Sequence, residues 1–219
     1  MHIQAREFTL FVKEILPEYF ANKLVLDVGS GDINGNNNFL FDNCIYHGND
    51  VINAPNVTIV SKTSQLPFED NLFDTIISTE CFEHDPEYKE SLIKIYKMLK
   101  PNGLFCFTCA STGRAEHGTS RTSPCDSYGT IGNIEGMTDY YKNLTEIDVN
   151  EVLNLNALFR VWDTYYNIES HDLYFVGIKN DLDDVVDNVD DVDDVVDVVV
   201  LDKYNKINVT NTSSCIMHY

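Results

Sequence analysis

Residues 24–38 read LVLDVGSGDINGNNN, a short apolar run with an aspartate at its fourth position, followed by glycine and asparagine. An apolar run of that length, bounded by turn residues, predicts a buried strand. A strand that empties into a glycine-rich turn at the carboxyl edge of a parallel sheet builds a crevice, where backbone can approach a ligand with no Cβ in the way. Gly29, Gly31 and Gly35 supply that clearance here, or serve the turn alone.

The rest of the chain alternates in the same style. Phe8, Phe11, Val12, Ile15 and Leu16 recur at helical spacing within residues 6–20, and Pro17 ends that helix. Strands follow at 24–28, 44–50, 56–60 and 72–79, then a helix at 86–99, with Pro86 near its start and Asn102-Gly103 beyond its end. LFCFTCA lies in a fifth strand at 103–110. A polar segment runs from 111 to about 138, another helix begins near Thr145, and FRVWDTYYNI and DLYFVGIKN form an antiparallel pair at 159–168 and 172–180. Strands alternating with helices imply crossover connections, hence a doubly wound α/β domain, mostly parallel, closed by an antiparallel C-terminal pair.

Beyond it, residues 181–202 carry ten aspartates and no base, interleaved mainly with valine. Both residue types form helices poorly, and the charge density opposes strand stacking. The expected division is a domain at 1–180 and a disordered acidic tail at 181–219, solvated or serving as a docking segment. The chain's formal net charge of -20 argues against nucleic acid and membrane surfaces as partners. With no apolar span and no secretory h-region, the expected compartment is the cytoplasm. Six scattered cysteines offer one Cys-x-x-Cys, Cys106 and Cys109, whose members point to opposite faces of a strand. No metal is expected from them.

Asp50, at the end of the second strand, falls where an open α/β sheet places a carboxylate for both hydroxyls of a ribose, so the crevice is expected to take a nucleoside-bearing cofactor. The spacing G-x-G-x-x-x-G departs from the dinucleotide fingerprint G-x-G-x-x-G. Asp27, two residues before the first glycine, is a poor neighbour for a pyrophosphate and a good one for an ammonium.

LVLDVGSGDING, YHGND and QLPFEDNLFDTIISTECFEHDPEYKESLIKIYKMLKPNGLFCFTCA together resemble the class I S-adenosylmethionine-dependent methyltransferases over roughly residues 20–180. The resemblance implies a seven-stranded Rossmann-like methyltransferase fold and S-adenosylmethionine as cofactor. Asp27, Gly29, Ser30 and Gly31 would serve its methionine end, Asp50 the ribose, Ser64 and Gln65 the adenine edge, and Thr79 the pocket floor, with Gly35 a further cofactor-binding residue of the glycine turn. Ser64 departs from the Asp or Glu that many relatives carry.

Methyl transfer from a sulfonium needs positioning more than side-chain chemistry. Where the acceptor must lose a proton, Glu80, Glu83 and His84 are the candidate bases, His84 having packing as its alternative role. His117, Arg121, Tyr140 and Tyr141 are the candidate acceptor contacts, with surface or packing roles as their alternatives, while cofactor contacts lie upstream of residue 111. The acceptor, a small molecule or protein side chain before a nucleic acid, is left open by the sequence. Two rival readings stand beside this one. Tyr96 and Lys100 form the Y-x-x-x-K of short-chain dehydrogenases, without the expected upstream serine, and a methyltransferase-like binding module without turnover would keep the same glycines.

Overall fold

The computed structural model describes residues 2–181. The acidic tail expected to be disordered lies outside the described residues, apart from Asp181.

Seven strands form one sheet in the order β3-β2-β1-β4-β5-β7-β6. They are β1 (Leu24–Val28), β2 (Ile45–Asp50), β3 (Ile59–Val60), β4 (Phe73–Thr79), β5 (Leu99–Ala110), β6 (Phe159–Asn167) and β7 (Asp172–Lys179). The first five run parallel. β7 runs antiparallel to both β5 and β6, as the C-terminal pattern predicts. β5 starts four residues earlier than its apolar run, because Leu99 pairs with Phe73 before a bulge lets Leu104 pair with Thr75. β3 is shorter than 56–60, since only Ile59 and Val60 reach β2.

The sheet is covered unequally. On one face α2 (Tyr88–Met98) and α3 (Glu146–Leu153) set Leu92, Ile95, Met98, Val149 and Leu153 against Leu26, Ile76, Phe105, Phe107 and Phe175. On the other, α1 (Ile3–Ile15) sets Phe8 and Val12 against Ile77, Leu104, Cys106 and Tyr174. Cys106 and Cys109 thus enter opposite cores, as alternation along a strand demands. Phe105, Phe107 and Phe175 pack with ring centroids 5.2–5.5 Å apart, a burial worth about 1.5–3 kcal/mol per side chain.

The helices have recognisable local causes. α1 ends at Ile15, and Pro17 opens a short 3-10 turn over Pro17–Tyr19. α3 opens on a capping box, Thr145 accepting the Asp148 backbone N–H while the Asp148 carboxylate accepts the Thr145 N–H. α2 is the one full α-helical crossover between parallel strands among the described residues. The β1–β2 link carries only the 3-10 turn Asn38–Leu40. Its glycine- and asparagine-rich sequence cannot hold a helix against solvent. No helix among the described residues is long and apolar enough to cross a membrane.

Candidate cofactor and acceptor site

Val28 pairs with Asn49 on one side and Ser78 on the other, so β1, β2 and β4 finish side by side. The glycine turn, Asp50 and Thr79 therefore share one edge of the sheet. The turn is clamped to its neighbours: Ser30 N–H donates to Asn49 O (2.9 Å) and Asp32 N–H to Pro55 O (3.0 Å). Asn56 Nδ2 donates to Ser30 O (2.9 Å).

Two of the glycines are sterically required. Gly29 has φ +69°, and a Cβ there would meet Cys81 Cβ and Sγ at 2.5 Å. A Cβ on Gly31 would meet the Tyr128 ring at 2.2 Å and Asp50 Oδ2 at 2.7 Å. The bare Gly31 backbone instead donates its N–H to Asp50 Oδ2 at 3.0 Å.

Asp27 is fully buried at the end of β1. Tyr46 Oη donates to one carboxyl oxygen, and Asn37 Nδ2 donates to the other at 3.1 Å and to Thr79 Oγ1 at 3.2 Å. Burial nonetheless outweighs these bonds and pushes its pKa up to about 7. The carboxyl is short of a cation. Asp50 is likewise raised by burial, against the amides of Val51 and Gly31.

A cavity of about 390 Å³ opens here. Of the residues expected to hold the cofactor, Asp27, Gly29, Ser30, Gly31, Gly35, Asp50 and Thr79 line it. Ser64 and Gln65 do not. Ser64 Oγ donates to Glu87 Oε2 and Gln65 faces solvent, while Ser61, Lys62 and Thr63 form that wall. The 3-10 turn Thr63–Gln65 swings the chain away just after Thr63. At this wall the cavity is therefore lined by residues 61–63 and not by the two residues expected there.

The three candidate bases stand in different states. Glu80, at φ +54°, lines the cavity but is locked: it accepts from Thr108 Oγ1 (2.8 Å) and pairs with His2 Nε2 (3.4 Å) and Arg114 (3.9 Å). Burial alone would raise it, yet His2, Thr108 and Arg114 hold it below the ordinary carboxylate range. Glu83 is wholly buried, outside the cavity lining, and burial followed by the charge of Glu80 raises it far above that range. Its ionised form is disfavoured there, and the side chain stands off the cavity lining, which makes it a poor base. Neither of its carboxyl oxygens has a well-formed hydrogen bond, a desolvation cost of about 1–3 kcal/mol. His84 lines the cavity as a neutral imidazole, lowered to about 3 by burial and then by His117. Such an imidazole is unprotonated and only weakly basic.

Of the expected acceptor contacts, only His117 lines the cavity, its ring centroid 4.9 Å from that of His84. Tyr141 stands behind both imidazoles, 5.6 Å from His84 and 5.1 Å from His117. Arg121 points away, paired with Glu116 (3.0 Å) and Asp139 (3.2 Å). Tyr140 is partly buried outside the lining. The expected split, with residues 111–141 serving only the acceptor, does not match the geometry. Tyr128 from that segment covers Gly31 and donates to Asp32 O at 3.1 Å, so the same segment walls the glycine turn.

Sequence reasoning missed His2, Asn37 and Tyr128 as lining residues. His2 and Tyr128 carry no local signal. Arg114, which the sequence places with His117 and Arg121 in a segment suited to recognising an acceptor, follows strand five directly and lines the cavity. Of the rival dehydrogenase pair, Tyr96 packs on Phe159 (5.7 Å) and Lys100 pairs with Asp74 (2.7 Å). Neither lines the cavity.

The family model of the methyltransferase domain matches residues 26–107. Phosphoethanolamine N-methyltransferase 2 of Caenorhabditis elegans is 34% identical over 80 residues, which is 36% of this chain but only 16% of that protein's length. Among solved structures, 1,6-didemethyltoxoflavin-N1-methyltransferase of Burkholderia thailandensis, with bound 1,6-didemethyltoxoflavin and S-adenosylhomocysteine, has a TM-score of 0.55 at 18% identity, covering 81% of this chain and 78% of that one. Phosphoethanolamine N-methyltransferase 2 of Haemonchus contortus, in complex with phosphomonomethylethanolamine and S-adenosylhomocysteine, has a TM-score of 0.55 at 15% identity, covering 80% and 52%. At these identities the two structures speak for the fold. Residues 26–107, which carry most of β1 to β5, are thus similar to a methyltransferase domain, and the seven-stranded sheet built around them has the fold of these solved methyltransferases.

Proposed function

We propose that this chain transfers a methyl group from S-adenosylmethionine to a small acceptor that is neutral or cationic at its accepting end. The observation that carries the reading is the shared cavity of Asp27, the glycine turn and Asp50. A buried carboxyl whose pKa burial pushes up to about 7 lacks a cation, and the ammonium of a methionine moiety would supply one. Asp50 retains acceptor capacity for ribose hydroxyls beyond the two amides it already holds. The cofactor brings the reactive sulfonium. The chain's residues orient it and exclude water.

The acceptor class follows from the remaining charges. Glu80, Asp85, Glu116 and Asp126 line the cavity, and its cations His2, Lys62 and Arg114 are each already ion-paired. An anionic group such as a phosphate finds no free cation among these lining residues. An amine does find acceptors. The phosphoethanolamine methyltransferases support an amine acceptor in this fold without carrying their phosphate to this site. Five free cysteines among the described residues fit a reducing compartment, in keeping with the expected cytoplasm.

The decisive experiment pairs calorimetry with transfer. S-adenosylhomocysteine is expected to bind at roughly micromolar affinity, about -8 kcal/mol, and NAD not to bind. Radiolabelled methyl from S-adenosylmethionine, given with fractionated lysate, is expected in the small-molecule fraction. Label confined to protein or nucleic acid would overturn the acceptor class, and binding without any label would favour a module without turnover.

A further inference from the structure

We propose that Glu83, His84 and His117 form a binding site for one divalent transition-metal ion of the zinc type, at the wall of the cavity. Each residue offers one donor atom, and the three atoms lie within 4.8 Å of one another. Glu83 and His84 come from the 3-10 turn Phe82–His84 that follows β4, and His117 comes from the segment after β5. The ion would thus join two chain segments that meet only in the folded protein.

Three observations favour a ligand here. Nδ1 of His84 is buried without a hydrogen-bond partner, and the equally buried carboxyl oxygens of Glu83 make no well-aligned hydrogen bond, their contacts to the Glu83 and Ala110 backbone being weak; both side chains are no more than 7% exposed. Buried polar groups are otherwise nearly always satisfied, and a cation satisfies a carboxylate and an imidazole lone pair together. His117 Nδ1 lies 3.1 Å from Ala115 O, placed to donate its N–H there and leave Nε2 as a lone pair. A ring held by its second nitrogen on a backbone carbonyl is the usual support of a ligating histidine. Finally, two imidazoles and one carboxylate are a three-ligand set typical of open zinc sites, with a fourth position left for solvent or substrate. His84 and His117 line the cavity, which gives that position access to it.

The geometry asks for modest adjustment. Zinc–donor bonds of about 2.0–2.1 Å bring neighbouring tetrahedral donors to about 3.3 Å. The part-exposed His117 has room to make that movement. A second group of possible ligands, His2, Glu80 and Asp172, is not a comparable candidate. His2 Nε2 lies 2.8 Å from Asp172, and Arg114 pairs with both acids, so its negative charge is already met. Cysteines play no part in the proposed site, in line with the faces of Cys106 and Cys109.

The test uses the full chain, stripped with chelator and titrated with Zn²⁺ and, for spectroscopy, Co²⁺, with Mg²⁺ as the control for the acidic surface. One Zn²⁺ is expected to bind at micromolar affinity or tighter. Visible Co²⁺ bands of tetrahedral intensity are expected without a thiolate-to-metal band in the near ultraviolet. His117→Ala and Glu83→Gln are each expected to weaken zinc binding at least tenfold. His117 sits on a loop, so its variant keeps the test informative even where the buried Glu83→Gln fails to fold. Zinc binding unchanged in His117→Ala, no stronger than Mg²⁺, or accompanied by a thiolate band overturns the site. Calorimetry of the wild-type chain with S-adenosylhomocysteine separates the two proposals: zinc without nucleoside removes the transferase reading and leaves the metal site standing, and nucleoside without zinc does the reverse.

Discussion

His2 Nε2 lies 2.8 Å from Asp172 Oδ2 and 3.4 Å from Glu80 Oε2, so the residue that caps α1 is tied to the first residue of β7 and to the end of β4. Burial by itself would lower this histidine, but the two carboxylates outweigh it and raise its pKa to about 10. Protonated His2 then donates Nδ1–H to Gln4 Oε1 at 3.1 Å.

That pairing has a pH signature. A folded-state pKa raised from 6.5 to about 10 gives stability that is full below pH 6.5 and is lost as pH rises through about 10. His2→Ala is expected to cost about 1.5–3 kcal/mol at pH 6, a charged hydrogen bond in a partly buried site. The gap between wild type and variant in urea melts should close toward pH 10. A constant gap would mean that His2 acts by packing alone.

Asp27 offers the opposite trade. Its folded pKa of about 7 lies above the ordinary 3.8, so the fold favours the neutral acid, and the free protein loses stability as pH rises from 3.8 through about 7. Asp27→Asn is expected to be the more stable free protein at pH 8, yet to bind S-adenosylhomocysteine at least tenfold more weakly, about 1.4 kcal/mol. Wild-type affinity should rise between pH 6 and pH 8, and the variant's should stay flat. A variant that binds as tightly as wild type would remove Asp27 from the ammonium site.

Gly31→Ala places a methyl group within 2.2 Å of the Tyr128 ring and 2.7 Å of Asp50 Oδ2. Overpacking of this kind costs about 1–3 kcal/mol. Because the displaced groups wall the cavity, cofactor affinity should fall by more than tenfold while unfolding stays cooperative. Replacing residues 115–135 with a Gly/Ser linker should weaken cofactor binding as well as methyl transfer, since Tyr128 leaves with it. Calorimetry on both variants checks this.

Lys179 reports on the fold apart from the site. Its Nζ donates to Leu99 O (2.7 Å), Tyr96 O (2.9 Å) and Asn71 Oδ1 (3.0 Å), and it lies 4.3 Å from the Tyr96 ring centroid. Lys179→Met strands those acceptors and should cost about 2–4 kcal/mol in denaturant unfolding. Cofactor affinity at saturating fold should not change. A loss of affinity in fully folded protein would show coupling between this end of the sheet and the cavity.

The sequence by itself determined the sheet and the cofactor edge. Apolar period and glycine placement are local: each of β1, β2, β4, β5, β6 and β7 can be read from its own residues, and Asp27, Gly31 and Asp50 follow from where those strands stop. Tertiary structure decided which polar side chains meet at that edge. His2 reaches Asp172 across almost the whole chain, Tyr128 settles on Gly31 from a segment with little regular structure, and Ser61, Lys62 and Thr63 replace Ser64 and Gln65 because a single 3-10 turn redirects the backbone. Glu83 shows the same division: its sequence neighbourhood offers a base, and only its complete burial beside Glu80 disfavours its ionised form. Strand periodicity is set by neighbours two residues away, whereas desolvation and ion pairing are set by atoms that arrive from distant parts of the chain.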